Sequence, residues 1–205
     1  MKVVLACMLS LMALVSVCSA QTNQFLKATI PLFSQKLGIN VPSNWKIASQ
    51  QKSSNIFLLE FIPPQEELAN WTEMLTVEAF KGMASQQSVQ SAYQMEANSV
   101  VSSCPKESIN YVVENSNTQG YDSISAIVGC SKHPFIKGRN EVAFYTFIKG
   151  KADIYMIKKS FRELLEKNTA PLLDKNSYKK LANEVLSVTV CKNDGQGPAC
   201  IPEAP

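Results

Sequence analysis

Apolar and polar positions change period several times along this 205-residue chain. In "FLKATIPLFSQKLG", residues 25 to 38, Leu26, Ile30, Phe33 and Leu37 fall on one stripe at helical spacing. This predicts a helix that Pro31 begins or kinks and Gly38 caps. "WKIASQQ" and "NIFLLEFIPP" then read as two strands around a polar Lys52-Ser53-Ser54-Asn55 turn, the second ended by Pro63 and Pro64. "WTEMLTVEAF" is a further strand, with Met74, Thr76 and Phe80 alternating against Leu75, Val77 and Ala79. The period returns to helical in "SVQSAYQMEANSVVSSC", where Val89, Tyr93, Ala97, Val100 and Cys104 share one face. "SINYVVEN" and "YDSISAIVGC" are strands joined through Asn117-Thr118-Gln119-Gly120. After the loop "SKHPFIKGRN", "SYKKLANEVLSVTV" predicts a C-terminal helix with Tyr178, Leu181, Ala182, Val185 and Leu186 inward.

The stretch "GRNEVAFYTFIKGKADIYMIKKSFR", residues 138 to 162, is a hairpin without clean alternation. A three-residue Lys149-Gly150-Lys151 turn sets Phe144 opposite Met156, Tyr145 opposite Tyr155 and Glu141 opposite Lys159. One face then holds Val142, Phe144, Ile148, Ile154 and Met156, and the other Ala143, Tyr145, Phe147, Tyr155 and Ile157. A two-residue turn would mix these sets. Either way both faces are apolar, so the hairpin is central and the protein covers both of its faces. Short polar turns between successive strands predict an antiparallel meander.

The fold class expected is α+β, an antiparallel β-sheet with helices packed on both faces (an α/β/α sandwich). The element order of helix, hairpin, strand, helix, meander and C-terminal helix, over residues 22 to 190, resembles that of PsbP-like proteins. The hairpin around "FYTFIKGKADIYMI" and the strand "NWTEMLTVEAF" are also similar to those of uncharacterised bacterial exported proteins. The resemblance implies a binding or assembly factor rather than an enzyme, and it carries no site residues.

Residues 1 to 20, "MKVVLACMLSLMALVSVCSA", have an early Lys2, an apolar run and a small-residue end, the pattern of a secretory signal peptide. The run is too short to span a bilayer, so a soluble mature chain is expected, exported to the periplasm or the extracellular space. Residues 21–190 then form a single α+β domain and 191–205 a disulfide-closed tail. Cys104, Cys130, Cys191 and Cys200 remain after cleavage, which allows three pairings; the sequence-local choice is Cys104–Cys130 with Cys191–Cys200. Cys104 ends the buried helical stripe and so points at the sheet.

Charge is uneven. Residues 132 to 192 carry 13 Lys and Arg against 6 Asp and Glu, while residues 21 to 131 carry 6 against 9. Lys137, Arg139, Lys149, Lys151, Lys158, Lys159 and Arg162 are the candidate binding residues, a basic rim on the last hairpin facing a protein, anionic lipid or glycan. Tyr145 and Tyr155 lie among them, but an exported chain of nearly balanced charge argues against nucleic acid.

Catalytic chemistry is not written in a motif. His133 is the one histidine, in a basic loop with no nearby nucleophile pattern, and neither a zinc spacing nor a phosphate-binding glycine pattern occurs. No cofactor, metal ligand or catalytic residue is therefore assigned. Glu60, Glu73, Glu78 and Glu114 sit in or beside apolar strands, where a carboxylate's pKa can rise. The function expected is a non-enzymatic binding role in a bacterial exported protein. The alternative is a secreted hydrolase using carboxylate or serine chemistry in a sheet-edge cleft.

Overall fold

The computed structural model describes residues 25–104, 108–130, 139–164 and 187–191. The signal-peptide reading, His133, Lys137, Cys200 and residues 177–186 of the expected C-terminal helix lie outside them. Ten strands in two antiparallel sheets and one α-helix are described. The three-stranded sheet has the order β1 (Phe25–Leu32), β2 (Gln35–Pro42), β10 (Val188–Cys191). The other strands are β3 (Lys46–Lys52), β4 (Ile56–Ile62), β5 (Glu73–Phe80), β6 (Ser108–Thr118), β7 (Tyr121–Cys130), β8 (Arg139–Lys149) and β9 (Ile154–Leu164). They make a seven-stranded sheet ordered β3-β4-β5-β9-β8-β7-β6. The helix α1 is Val89–Ser103.

This corrects the expected layering. One face of the central sheet is covered by α1, but the other is covered by the three-stranded sheet. Ile30, Leu32, Leu37, Ile39, Val41, Val188 and Val190 of the small sheet share a core with Phe57, Leu59, Leu75, Val77, Phe144, Ile148, Tyr155 and Ile157. On the opposite face, Val89, Ala92, Tyr93 and Ala97 of α1 pack with Ile124, Ala126, Val128, Tyr145, Phe147 and Met156.

The helix expected over residues 25 to 38 is instead the β1–β2 hairpin. Its buried residues, Ile30, Leu32, Leu37, Ile39 and Val41, recur every second position, while Leu26 of the supposed helical stripe is 57% exposed. Pro31 is tolerated because β1 is an edge strand, where a missing N–H costs no ladder bond. Val188–Cys191 is likewise a strand, paired to β2 with Val190 opposite Leu37, not the end of a helix.

The last hairpin is central, as expected, but its register differs. Lys149 pairs with Ile154, so the loop is the four residues Gly150 to Asp153. Phe147 therefore faces Met156, Ile148 faces Tyr155 and Glu141 faces Arg162. The odd shift turns β9 over relative to β8. Tyr155 and Ile157 join Val142, Phe144 and Ile148 on the small-sheet side; Ile154 and Met156 join Ala143, Tyr145 and Phe147 under α1. Gly150 fixes this loop, since a Cβ there would collide with Gln35 Oε1 and the Tyr155 ring.

The helix α1 starts where the sequence places it. Ser88 is its N-cap and its hydroxyl accepts from the Ser91 amide at 3.1 Å. Its far end is clamped to β7 by the Cys104–Cys130 disulfide, the pairing expected from the direction of the buried stripe. Cys191 is also disulfide-bonded, to a partner outside the described residues.

Candidate functional site

The predicted basic residues do not form one rim. Lys149 and Lys151 lie at the loop end of the last hairpin, Arg139 and Arg162 lie towards its open end, and Lys158 and Lys159 lie at mid-strand opposite Tyr145 and Phe144. Ten residue steps separate Lys149 from Arg139 along β8, about 33 Å. Most of these cations are also engaged within the protein. Lys159 is 3% exposed; its Nζ is 2.5 Å from Glu73 Oε2 and lies over the rings of Trp45 (3.9 Å) and Phe161 (4.8 Å). Burial lowers its pKa to about 8, and Glu73 offsets part of that shift. The Arg162 guanidinium stacks on Trp71 at 3.5 Å and its Nε donates to Glu141 Oε2 at 2.9 Å. Arg139 donates to the Trp71 carbonyl at 3.4 Å. These contacts build a closed corner out of charges the sequence offers to a ligand.

The loop end is held by a different device. Asp153 is 1% exposed and its carboxylate accepts from the Ser34 amide and hydroxyl, the Gly82 amide and the Tyr155 hydroxyl. Burial alone would raise its pKa, but these donors outweigh that and lower it. They tie three loops together beside Phe33, which holds a left-handed φ of 43°.

Among the described residues, a feature with room for a ligand lies under α1. A cavity of about 170 Å³ is lined by Phe80, Met83, Ala92, Met95, Glu96, Phe147 and Met156. Sheet register brings Phe80 of β5, Met156 of β9 and Phe147 of β8 to this face. The helix and the Met83–Ser85 turn before it supply the rest. Met95 is 61% exposed at the cavity edge. Flexible thioethers against aromatic rings make a surface that adapts to an apolar guest.

A polar strip adjoins the cavity on the same face. Register places Glu60, Thr76, Lys158 and Tyr145 side by side across β4, β5, β9 and β8, with Glu78 next to Thr76 along β5 and opposite Met156. Tyr145 donates to Glu96 Oε1 at 3.2 Å, and Lys158 Nζ stands 3.8 Å from the same oxygen. Burial raises the Glu78 pKa to about 7; Lys158 opposes the shift, and Glu96 and Glu60 add to it. Burial, then Glu96, pushes the Tyr145 phenol well above its usual value.

Of the four carboxylates singled out in the sequence, Glu60 and Glu78 therefore share this face. Glu73 is taken by Lys159, and Glu114 is exposed on β6. The sequence reading did not single out Phe80, Met83, Ala92, Met95 or Glu96 as a site. A signal was available: Ala92 and Glu96 are four residues apart beside the Val89–Tyr93–Ala97 stripe, at the border of the buried face. Among the described residues no cluster of His, Cys, Asp and Glu could hold a metal ion, and no helix is long and apolar enough to cross a membrane.

A protein-family model matches residues 42–127, less than half of the chain. No curated protein matches the sequence. Among solved structures, the Ran-binding protein Mog1p of Saccharomyces cerevisiae superposes with a TM-score of 0.52 at 12% identity, covering 83% of this chain and 98% of that one. The cyanobacterial PsbP (CyanoP) of Synechocystis sp. PCC 6803 superposes with a TM-score of 0.47 at 13% identity, covering 86% and 98%. LpqN, involved in cell envelope biogenesis of Mycobacterium tuberculosis, gives 0.44 at 11% identity, covering 82% and 92%. A PsbP protein is among the similar solved structures, and the chain is similar to Mog1p in fold.

Proposed function

We propose that this chain is a non-enzymatic interaction module that seats an apolar side chain of a protein partner in the cavity between α1 and the central sheet. The observation that carries this reading is the cavity itself, about 170 Å³ walled by three methionines and two phenylalanines, with Met95 exposed at its edge. An engineered cavity of about 150 Å³ takes up benzene, so this volume suits one ring or one branched aliphatic side chain. The Ran-binding activity in the name of Mog1p supports a protein as partner. An exported setting belongs to the same proposal. It is supported by the charged-then-apolar N-terminus and by the oxidised Cys104–Cys130 pair, with residues 21–190 as one folded unit.

The test is methionine-methyl NMR on the full chain, titrated with a neutral single-residue probe, N-acetyl-phenylalanine amide. Met83, Met95 and Met156 methyls should shift, while Met74, buried with Ile62 and Trp71 away from the cavity, should not. Ala92→Phe should fill the space and abolish the shifts. Unmoved methyls at saturating probe would overturn the proposal.

One observation favours the hydrolytic alternative. A carboxylic acid with a pKa near 7, Glu78, shares a face with Glu96 and Glu60, and acid–base pairs are built by such splitting. On that reading the chain would release a chromogenic leaving group from a glycoside or ester, and Glu78→Gln would lose at least about 100-fold in kcat.

A further inference from the structure

The cavity is apolar, but the strip beside it is acidic. Three carboxylates, Glu60, Glu78 and Glu96, stand against one ammonium, Lys158. Glu78 makes no hydrogen bond or ion pair with a described residue, although most of it is withdrawn from water. Glu96 receives Tyr145 and Lys158 on the same oxygen, Oε1, which leaves Oε2 free to accept. Next to Glu78, the Thr76 hydroxyl is buried without a partner. Buried polar groups without partners are rare and costly. Here carboxylate and hydroxyl acceptors gather on one face next to a hydrophobic hole.

We infer that the site takes a lysine-bearing segment of a partner protein, an apolar side chain entering the cavity and the neighbouring lysine ammonium docking on Glu78 and Glu96. This deepens the proposed function and rests on it. An ammonium offers three N–H donors and no acceptor, which matches a strip where three carboxylates face one ammonium. The cavity holds one side chain and no more, so specificity must come from its flank, where charge decides. A carboxylate beside the anchor fits worse, because it brings like charge. Ammonium binding favours the ionised form of Glu78, so docking releases a proton from it below about pH 7.

The same methyl spectra on the full chain test this, now with acetylated and amidated peptides Gly-Lys-Phe-Lys-Gly, Gly-Gln-Phe-Gln-Gly and Gly-Glu-Phe-Glu-Gly. The lysine peptide should bind about tenfold more tightly than the glutamine peptide, and the glutamate peptide most weakly. Glu78→Gln or Glu96→Gln should erase the lysine advantage, bringing the lysine-to-glutamine affinity ratio to about one. The lysine-to-glutamine ratio should grow from pH 6 to pH 8 as Glu78 ionises, because Lys158, Glu96 and Glu60 are the charged groups facing it. Equal binding of all three peptides would overturn the lysine inference and leave the cavity reading standing. No methyl shift with any of them would remove both. Phenethylamine binding as tightly as the lysine peptide would overturn the assignment to a protein segment.

Discussion

On one side of the seven-stranded sheet a second sheet lies across β4, β5, β8 and β9. On the other a single described helix covers β7 and part of β8. Both faces are built from the same kinds of residue, since the hairpin supplies Phe144, Ile148 and Ile157 to one and Tyr145, Phe147 and Met156 to the other. Their coverage differs. Strand against strand gives a continuous dry layer in which Leu37, Leu75, Val77 and Ile157 are fully buried. A helix rests on a sheet along one ridge, and at its flank the cavity and the acidic strip remain. The dry face holds the fold, whereas the helix face has space and unbalanced charge, and the proposed binding is assigned there for that reason.

The largest expected effect tests the dry face. Leu75→Ala, at a position with no exposed surface, should cost about 2–5 kcal/mol in chemical denaturation because the two sheets cannot close on the void. A loss below about 1 kcal/mol would mean that the two sheets do not form the core described. Next is the clamp on the helix face. Replacing Cys104 and Cys130 together with Ala opens a loop with a sequence separation of 26 and should cost about 3 kcal/mol. The loss should fall on α1 first, seen as faster amide exchange in residues 89–103 than in the small sheet.

Asp153→Asn touches the end shared by both faces. It removes a carboxylate that receives four donors and should cost about 1–3 kcal/mol. Asp153 has a depressed folded-state pKa, so its contribution is present above the unfolded value and is lost as pH falls through the folded one. The variant should therefore show a flatter acid limb in stability against pH.

The smallest effects are slopes, and they have opposite signs on the two faces. Glu78, raised from 4.5 to about 7, holds its proton longer in the folded state, so its contribution declines as pH rises from 4.5 to 7. Lys159, lowered from 10.5 to about 8, loses its proton earlier when folded, so stability rises between pH 8 and 10.5. Glu78→Gln and Lys159→Met should each remove only their own slope. If one variant flattened both, the two faces would be electrostatically coupled.

What could be read from the sequence follows how local each signal was. The 3.6-residue stripe of α1, the strands from Lys46 to Cys130 and the Cys104–Cys130 pairing rest on signals close in sequence, and the sequence reading named them; the Ser88 cap it did not name. The first segment misled because Leu26, Ile30, Phe33 and Leu37 match a helix as well as Ile30, Leu32, Leu37, Ile39 and Val41 match a hairpin. Only the approach of β10 to β2, roughly 150 residues apart in sequence, favours the second. The cations of the last hairpin looked like an outward rim, since a sequence does not show that Trp45, Trp71 and Glu73 lie within reach of them. The cavity was missed for the same reason: its wall comes from β5, the turn before α1, α1 itself, β8 and β9.

By itself, then, the sequence determined an antiparallel sheet with a central hairpin apolar on both faces, because side-chain alternation and burial are written residue by residue. The tertiary structure decided which layer covers which face. It did so through a four-residue loop, where the three-residue reading set β9 in the other register. A single-residue difference in a turn reverses every side chain of the strand that follows, and that reversal is what places Met156 and Lys158 under the helix and Lys159 against Trp45.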